Sequence, residues 1–206
     1  MLLEINDTYL TIASNASEVL FKEKNSKFFG NAFIVETEEE VKPIIEVLRR
    51  KHVGAGHFCY AYQIGTEKIK YRTNDDGEPN NSAGLPIYGQ IQSFNLTNVL
   101  IVVVRYFGGV KLGVGGLISA YKIAAQMTLE NSEIIEKTIN SHFIIQFGYK
   151  NMNTVMRIIK EKQLTIISQE MSDDCKIEIS TRKKNEDKIF AVFNDIFEIE
   201  ITKLNF

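Results

Sequence analysis

Cysteine is scarce: Cys59 and Cys175 are the only two in 206 residues. They lie far apart, with no CxxC pair and no Cys/His ligand spacing, so neither a zinc site nor a disulfide framework is expected and a reducing cytosol fits best. Charge of one sign is also missing. Lys and Arg number 24 against 26 Asp and Glu, a formal net charge of −2, which excludes the strongly basic balance of a chain coated in nucleic acid but not a local basic groove. No run approaches the roughly 18 apolar residues of a membrane span. Met1-Leu2-Leu3-Glu4 has no basic n-region, and Glu4 and Asp7 interrupt its apolar residues, so the expectation is a cytoplasmic protein without a membrane partner. What is present, 44% hydrophobic and 24% charged residues, is ordinary globular usage with enough length for a sizeable core.

Along the chain, Tyr9–Ala13 and Phe28–Val35 read as strands joined by a mixed-charge connection containing Glu18, Lys22, Glu23, Lys24 and Lys27. Thr37 and Glu40 have capping-box spacing, and Val41, Ile44, Ile45 and Leu48 follow at helical intervals. Pro43 then predicts a later start or a bend. Arg49, Arg50, Lys51 and His52 load the helix end, which the dipole favours over a phosphate-binding reading. His57–Ile64 reads as a strand. His57 itself suits a general base, a phosphate-side donor, or a histidine satisfied within the fold, the last being the default without a nearby nucleophile.

The chemistry-bearing stretch follows. Asp75, Asp76 and Glu78 bracket Gly77 ahead of Pro79. Turn chemistry explains these residues, yet three close carboxylates require partners, for which Arg105 and Lys111 are candidates. A structural turn is favoured here over a magnesium site. Ile87–Phe94 reads as a short helix, and Asn98–Val104 as a strand covered on both faces. Arg105 and Tyr106 end that strand, Gly108, Gly109, Lys111, Gly113, Gly115 and Gly116 form a glycine-rich loop, and Leu117–Met127, with Tyr121 on its packed face, reads as a helix. A strand, such a loop and a helix start can aim backbone N–H groups at an anion. Neither GxxxxGK[ST] nor GxGxxG is matched, which disfavours an ATPase or dinucleotide enzyme. The competing reading is that the glycines merely permit a tight crossing. From residue 137 the pattern becomes βαββαβ, the ferredoxin-like order, with a turn at Ser172-Asp173-Asp174, a linker near Glu136–Asn140, and no site-like cluster.

Ser26-Lys27-Phe28, His57 with Cys59, Asp75 through Pro79, Ala83-Gly84 with Pro86, Val104 through Gly109, Leu112-Gly113, Gly115 through Leu117 and Ala120-Tyr121 together resemble the IMPACT family, in particular its bacterial YigZ-like members. The resemblance implies a two-domain α+β protein: residues 1–136 an IMPACT-type, ribosomal-protein-like fold with a left-handed βαβ crossover, and residues 137–206 a ferredoxin-like domain. It also implies association with RNA, the ribosome or another translation component, with no established reaction; a protein partner is the other option, and no cofactor is expected. Eukaryotic relatives that regulate a translation kinase use an extra N-terminal domain for which this chain has no room, so that role is not expected to transfer. Asn81 stands where the family usually has glycine; asparagine tolerates positive φ, so the turn is expected to survive. The resulting expectation is a non-enzymatic binder, a translation regulator in the sense the family implies, with His57, Arg105, Tyr106, Gly108, Gly109, Lys111, Gly113, Gly115, Gly116 and Tyr121 at its ligand surface. Arg105 and Lys111 would meet phosphate, and Tyr106 or Tyr121 would stack on a base. The rival is a metal-assisted hydrolase or phosphotransferase using Asp75, Asp76 or Glu78 with His57 as base.

Overall fold

A computed structural model describes residues 7–172 and 174–204. Residues 1–4 and Asp173, on which two of the expectations above rest, lie outside them. The chain forms two compact units, one spanning residues 9–137 and the other taking in residues 7–8 and 138–204.

The larger unit runs β1 (Thr8–Ile12), β2 (Val19–Glu23), β3 (Ser26–Ile34), α1 (Val41–Lys51), β4 (His57–Ile64), β5 (Lys70–Asn74), α2 (Gly84–Ser93), β6 (Val99–Tyr106), α3 (Gly113–Glu130) and β7 (Ile134–Thr138). β1 pairs with β7 in a separate ribbon, and the main sheet has the order β2-β3-β6-β4-β5. Its centre is β6, whose residues 99–105 are all buried. Because side chains alternate along a strand, Val99, Ile101 and Val103 pack with Ile87 and Ile91 of α2 and Ala120, Tyr121 and Ala124 of α3. Leu100, Val102 and Val104 pack on the other face with Val41 and Leu48 of α1. A continuous apolar run was the right signature for a strand covered on both sides.

This layering fixes the chirality of the crossovers. β3 and β4 are each antiparallel to the intervening β6, so they run parallel to one another and are joined by α1 across one face. β5 and β6 are each antiparallel to the intervening β4, so they too run parallel, joined by α2 across the opposite face. The second crossover steps back across the sheet between strands of reversed direction. Those two reversals together preserve hand, whereas moving the helix to the other face inverts it. One of the two crossovers is therefore left-handed, against the usual rule, as the family resemblance implied.

Several boundaries differ from the sequence reading. The mixed-charge connection contains β2, an edge strand paired with β3. Helix α1 begins at Val41, so Pro43 falls in the first turn, where its missing N–H costs no helical bond. Glu40 supplies no N-cap; its Oε2 accepts from the backbone of Glu36 and Thr37. The expected linker is instead the end of β7 followed directly by the next strand.

The smaller unit comprises β8 (Asn140–Gly148), α4 (Met152–Glu161), β9 (Thr165–Glu170), β10 (Asp174–Arg182), α5 (Glu186–Asn194) and β11 (Ile199–Leu204). Its antiparallel sheet has the order β11-β8-β10-β9, the ferredoxin-like arrangement. Phe143, Ile145 and Phe147 of β8 face inward with Val155 and Ile159 of α4 and Ile189 and Phe193 of α5. The open face carries His142, Ile144 and Gln146 against Lys176, Glu178 and Ser180. Among the described residues, it lacks the exposed aromatic rings and the surplus of cations that a base-stacking platform needs.

Candidate functional site

The acidic turn is held by its own backbone and by arginines. Asp75 accepts from the backbone N–H groups of Asn81 (2.8 Å), Ala83 (2.9 Å) and Gly84 (2.8 Å), which puts a carboxylate at the start of α2, where the helix dipole stabilises it. Asn81 takes φ 61°, so the asparagine does keep the turn. Asp76 receives both its 2.8 and 2.9 Å bonds from Arg49 on one nitrogen and a third, of 2.6 Å, from the N–H of Phe58. Its carbonyl oxygen lies 2.9 Å from Nδ1 of His57. Arg49 also lies 4.4 Å over the Phe58 ring, while Lys51 and His52 both engage Glu18. Arg49, Lys51 and His52 of the four residues that end α1 are thus partnered within the fold rather than assembled into a phosphate cluster.

Glu78 is the centre of the constellation. Its side chain is 4% exposed, with the guanidinium of Arg105 at 2.6 Å and the Tyr121 hydroxyl donating at 2.7 Å. Nε2 of His57 is 3.9 Å away. Arg105 lies over the Phe28 ring and donates to Ser26 Oγ, which also accepts the N–H of Gly108. The Cys59 thiol donates to the Asp75 carbonyl and lies 3.3 Å from Tyr121 Oη. Burial pushes the Cys59 thiol far above its ordinary range, with Glu78, Asp76 and Asp75 adding to the effect, so it is no nucleophile. Burial likewise pushes the Tyr121 hydroxyl up, keeping it a donor to Glu78. The arrangement locks β3, β4, the acidic turn, β6 and α3 together.

Four expectations are corrected by this geometry. Arg105 is 5% exposed and Tyr121 fully buried, so neither is a surface contact for phosphate or a base. Arg105 is instead the counter-ion of Glu78, and Nε of the same guanidinium has no hydrogen-bond partner. Tyr106 is half-buried on the α1 face, edge-on to Phe29 and with its hydroxyl 3.4 Å from His52. Because β6 alternates, it points away from Arg105 and Tyr121. Gly108 is pressed against the chain: an added Cβ would lie 2.1 Å from the Asn25 carbonyl carbon. Finally, Gly113, Gly115 and Gly116 are the first turn of α3 rather than a loop before it.

What remains at the surface is the segment 107–116 and the start of α3. Lys111 is exposed, as are Phe107, Val110, Val114 and Ile118. Gly109, Gly113 and Gly115 have open space where a Cβ would point, with positive φ at the first two. No side chain of the N-cap residue Leu112 closes the 18-residue helix. The phenyl ring of Phe107, which sequence reasoning passed over, is 55% exposed and is the aromatic residue the segment presents. His57 lines the edge of the Glu78 cluster and is half-buried. Among the described residues no group of three His, Cys, Asp or Glu side chains is arranged to hold a metal ion, and no helix is long and apolar enough to cross a membrane.

Comparison with known proteins agrees with this architecture. The Impact N-terminal domain family matches residues 24–129. The chain is 30% identical to the IMPACT family member YvyE of Bacillus subtilis, across 96% of this chain and 94% of that protein. It is 29% identical to the IMPACT family member YigZ of Escherichia coli, across 71% of this chain and 73% of that one. A crystal structure of a hypothetical protein superposes with a TM-score of 0.73 at 23% identity, covering 97% of this chain and 98% of that one, and shares its fold.

Proposed function

The chain belongs to the IMPACT family, and from that premise we propose that it is a non-enzymatic protein that binds RNA or a ribosomal component, in the service of translation, through the surface of residues 107–116 and the start of α3. The observation that carries this reading is the uncapped N-terminus of an 18-residue helix preceded by an exposed glycine-rich segment bearing Lys111 and Phe107. The first N–H groups of a helix have no intrahelical acceptor and attract anions. Glycines without a Cβ let a phosphate approach the backbone. Lys111 adds a cation, and the exposed Phe107 ring offers a stacking surface for an unpaired base.

The hydrolase reading loses support on the same grounds. Asp75 accepts from three backbone donors, Asp76 from Arg49 and the Phe58 N–H, and Oε1 of Glu78 from Arg105 and Tyr121. The turn's carboxylates are engaged within the fold, and among the described residues no third ligand joins them in a metal-binding group. A protein component of the same machinery is a second reading, favoured by the exposed Val110, Val114 and Ile118 around Lys111.

Anisotropy titrations of the full chain with structured and single-stranded RNA, at salt concentrations from about 50 to 200 mM, test the proposal. Binding should weaken steeply with salt. Lys111→Ala should reduce the slope of log K against log salt by about 1, uniformly across sequences. Undetectable RNA binding at the lowest salt, with retained capture of nuclease-treated ribosomal protein, would leave the protein-binding reading standing alone.

A further inference from the structure

A cleft lies on the α1 side of the sheet. Helix α1 covers β3, β6 and β4 but leaves a cleft of about 440 Å³ over β4 and β5. Its floor is Tyr60 and Tyr62 of β4 beside their cross-strand partners Asn74 and Arg72 of β5. Its wall is the flank of α1, where Lys42, Ile45, Glu46 and Arg49 recur at helical spacing. The volume falls within the range of ligand-binding pockets.

Two features say what fits. β5 is the last strand of its sheet, and among the described residues it pairs with β4 alone. Its outer N–H and C=O groups are therefore available to a further strand. The charges are balanced but unevenly satisfied. Asp76 is closed by Arg49, and Glu38 accepts the Tyr62 hydroxyl and approaches Lys70. Among the described residues, the cleft-lining Lys42 and Arg72 form no ion pair, and neither does Glu46, which leaves two unpaired cations against one acid. A phosphodiester chain, charged at every residue, would meet Glu38, Glu46 and Asp76 along the cleft, whereas a single carboxylate side chain needs only the two cations Lys42 and Arg72. From Lys42 to Arg49 the wall is about 10 Å long, the span of about three extended residues.

We propose that the groove between α1 and β5 captures an extended peptide segment carrying an acidic side chain, which adds to the edge of β5 as a sixth strand and places its carboxylate between Lys42 and Arg72. Backbone pairing along the edge gives the affinity, and the aromatic floor with the two cations selects alternate side chains. This site is separate from the Lys111 surface and does not depend on it.

The test is selection of a phage-displayed library of random dodecapeptides on the immobilised full chain, followed by anisotropy titration of the enriched peptides in synthetic, fluorescein-labelled form. Enriched sequences should carry an acidic residue within a β-branched or aromatic run. Lys42→Glu with Arg72→Glu should weaken them at least tenfold while the thermal melt is unchanged, since both residues are exposed. Amides of residues 70–73 should gain hydrogen-exchange protection with peptide bound, and Lys111→Ala should leave peptide affinity unaltered. No enrichment, binding indifferent to the double charge reversal, or protection elsewhere would overturn the proposal.

Discussion

Arg105→Met separates the two roles that its sequence position allows. The Glu78 and Arg105 side chains are 4% and 6% exposed and meet at 2.6 Å. Removing one partner of such a pair leaves a buried carboxylate without its counter-ion, at a cost of about 3–5 kcal/mol. For a unit of this size, 1 kcal/mol moves the melting temperature by roughly 3–5 °C, so a fall of about 10–20 °C is expected. Two units need not melt together, and the tyrosines offer a selective probe. Of the eight, all but Tyr149 lie within residues 9–137, so near-ultraviolet circular dichroism in the tyrosine band follows the larger unit. Combining Glu78→Leu with Arg105→Met removes both charges and should recover at least half of the lost stability, because a buried pair replaced by apolar groups is often neutral. If Arg105→Met left the melt within about 2 °C of wild type and abolished RNA binding instead, the assignment of Arg105 to the framework would be refuted.

Other perturbations read neighbouring parts of the same design. Gly108→Ala should destabilise by more than about 2 kcal/mol in urea titrations, since the new methyl would meet the Asn25–Ser26 backbone. Gly115→Ala, with open space around it, should stabilise α3 by about 0.5–1 kcal/mol and, if the segment binds RNA, weaken that binding. The Glu18 carboxyl is held below its ordinary 4.5: burial works against ionisation, but hydrogen bonds from Lys51 and His52 outweigh it. A depressed carboxyl contributes stability that is present above its unfolded value and lost as pH falls through the folded one. Wild type should therefore melt above Glu18→Gln at pH 6–7, with the gap closing below about pH 4; a gap that persisted to pH 3 would refute that account.

The sequence made some parts of the structure legible and concealed others for physical reasons. Residues 98–104 announced a strand buried on both faces because no charge interrupts them, and the βαββαβ half was readable because its apolar periods alternate cleanly. β2 was hidden because it is an edge strand: Leu20 and Lys22 face solvent, and the Lys22-Glu23 pair looks like surface loop. The start of α3 was hidden because Gly113, Gly115 and Gly116 have the lowest helix propensity short of proline, and tertiary packing through Leu117, Ala120 and Tyr121 overrides it. That the acidic turn needs cations is legible in its charge density, but of the two candidates, Arg105 and Lys111, the first pairs with Glu78 while the second stays exposed. Arg49, the partner of Asp76, could not be found, because the two are 27 residues apart and meet only through the β3-α1-β4 crossover.

The acidic turn and the glycine-rich segment look like one motif in the sequence, and the structure shows how two different physical roles come to be adjacent. Ser26 Oγ receives both the Arg105 guanidinium and the N–H of Gly108. The buried Glu78–Arg105 pair thereby sets the point at which the chain leaves β6. Tyr121, eight residues and about 12 Å of helix beyond Gly113, ties the same carboxylate to α3. Glu78 thus fixes both ends of the exposed segment without being exposed itself. A substitution in the acidic turn will then disturb any ligand of Lys111 through position rather than contact. Such a variant should lose affinity and stability together, whereas Lys111→Ala should lose affinity alone. That difference distinguishes a framework from a binding surface even though the two are neighbours in the chain.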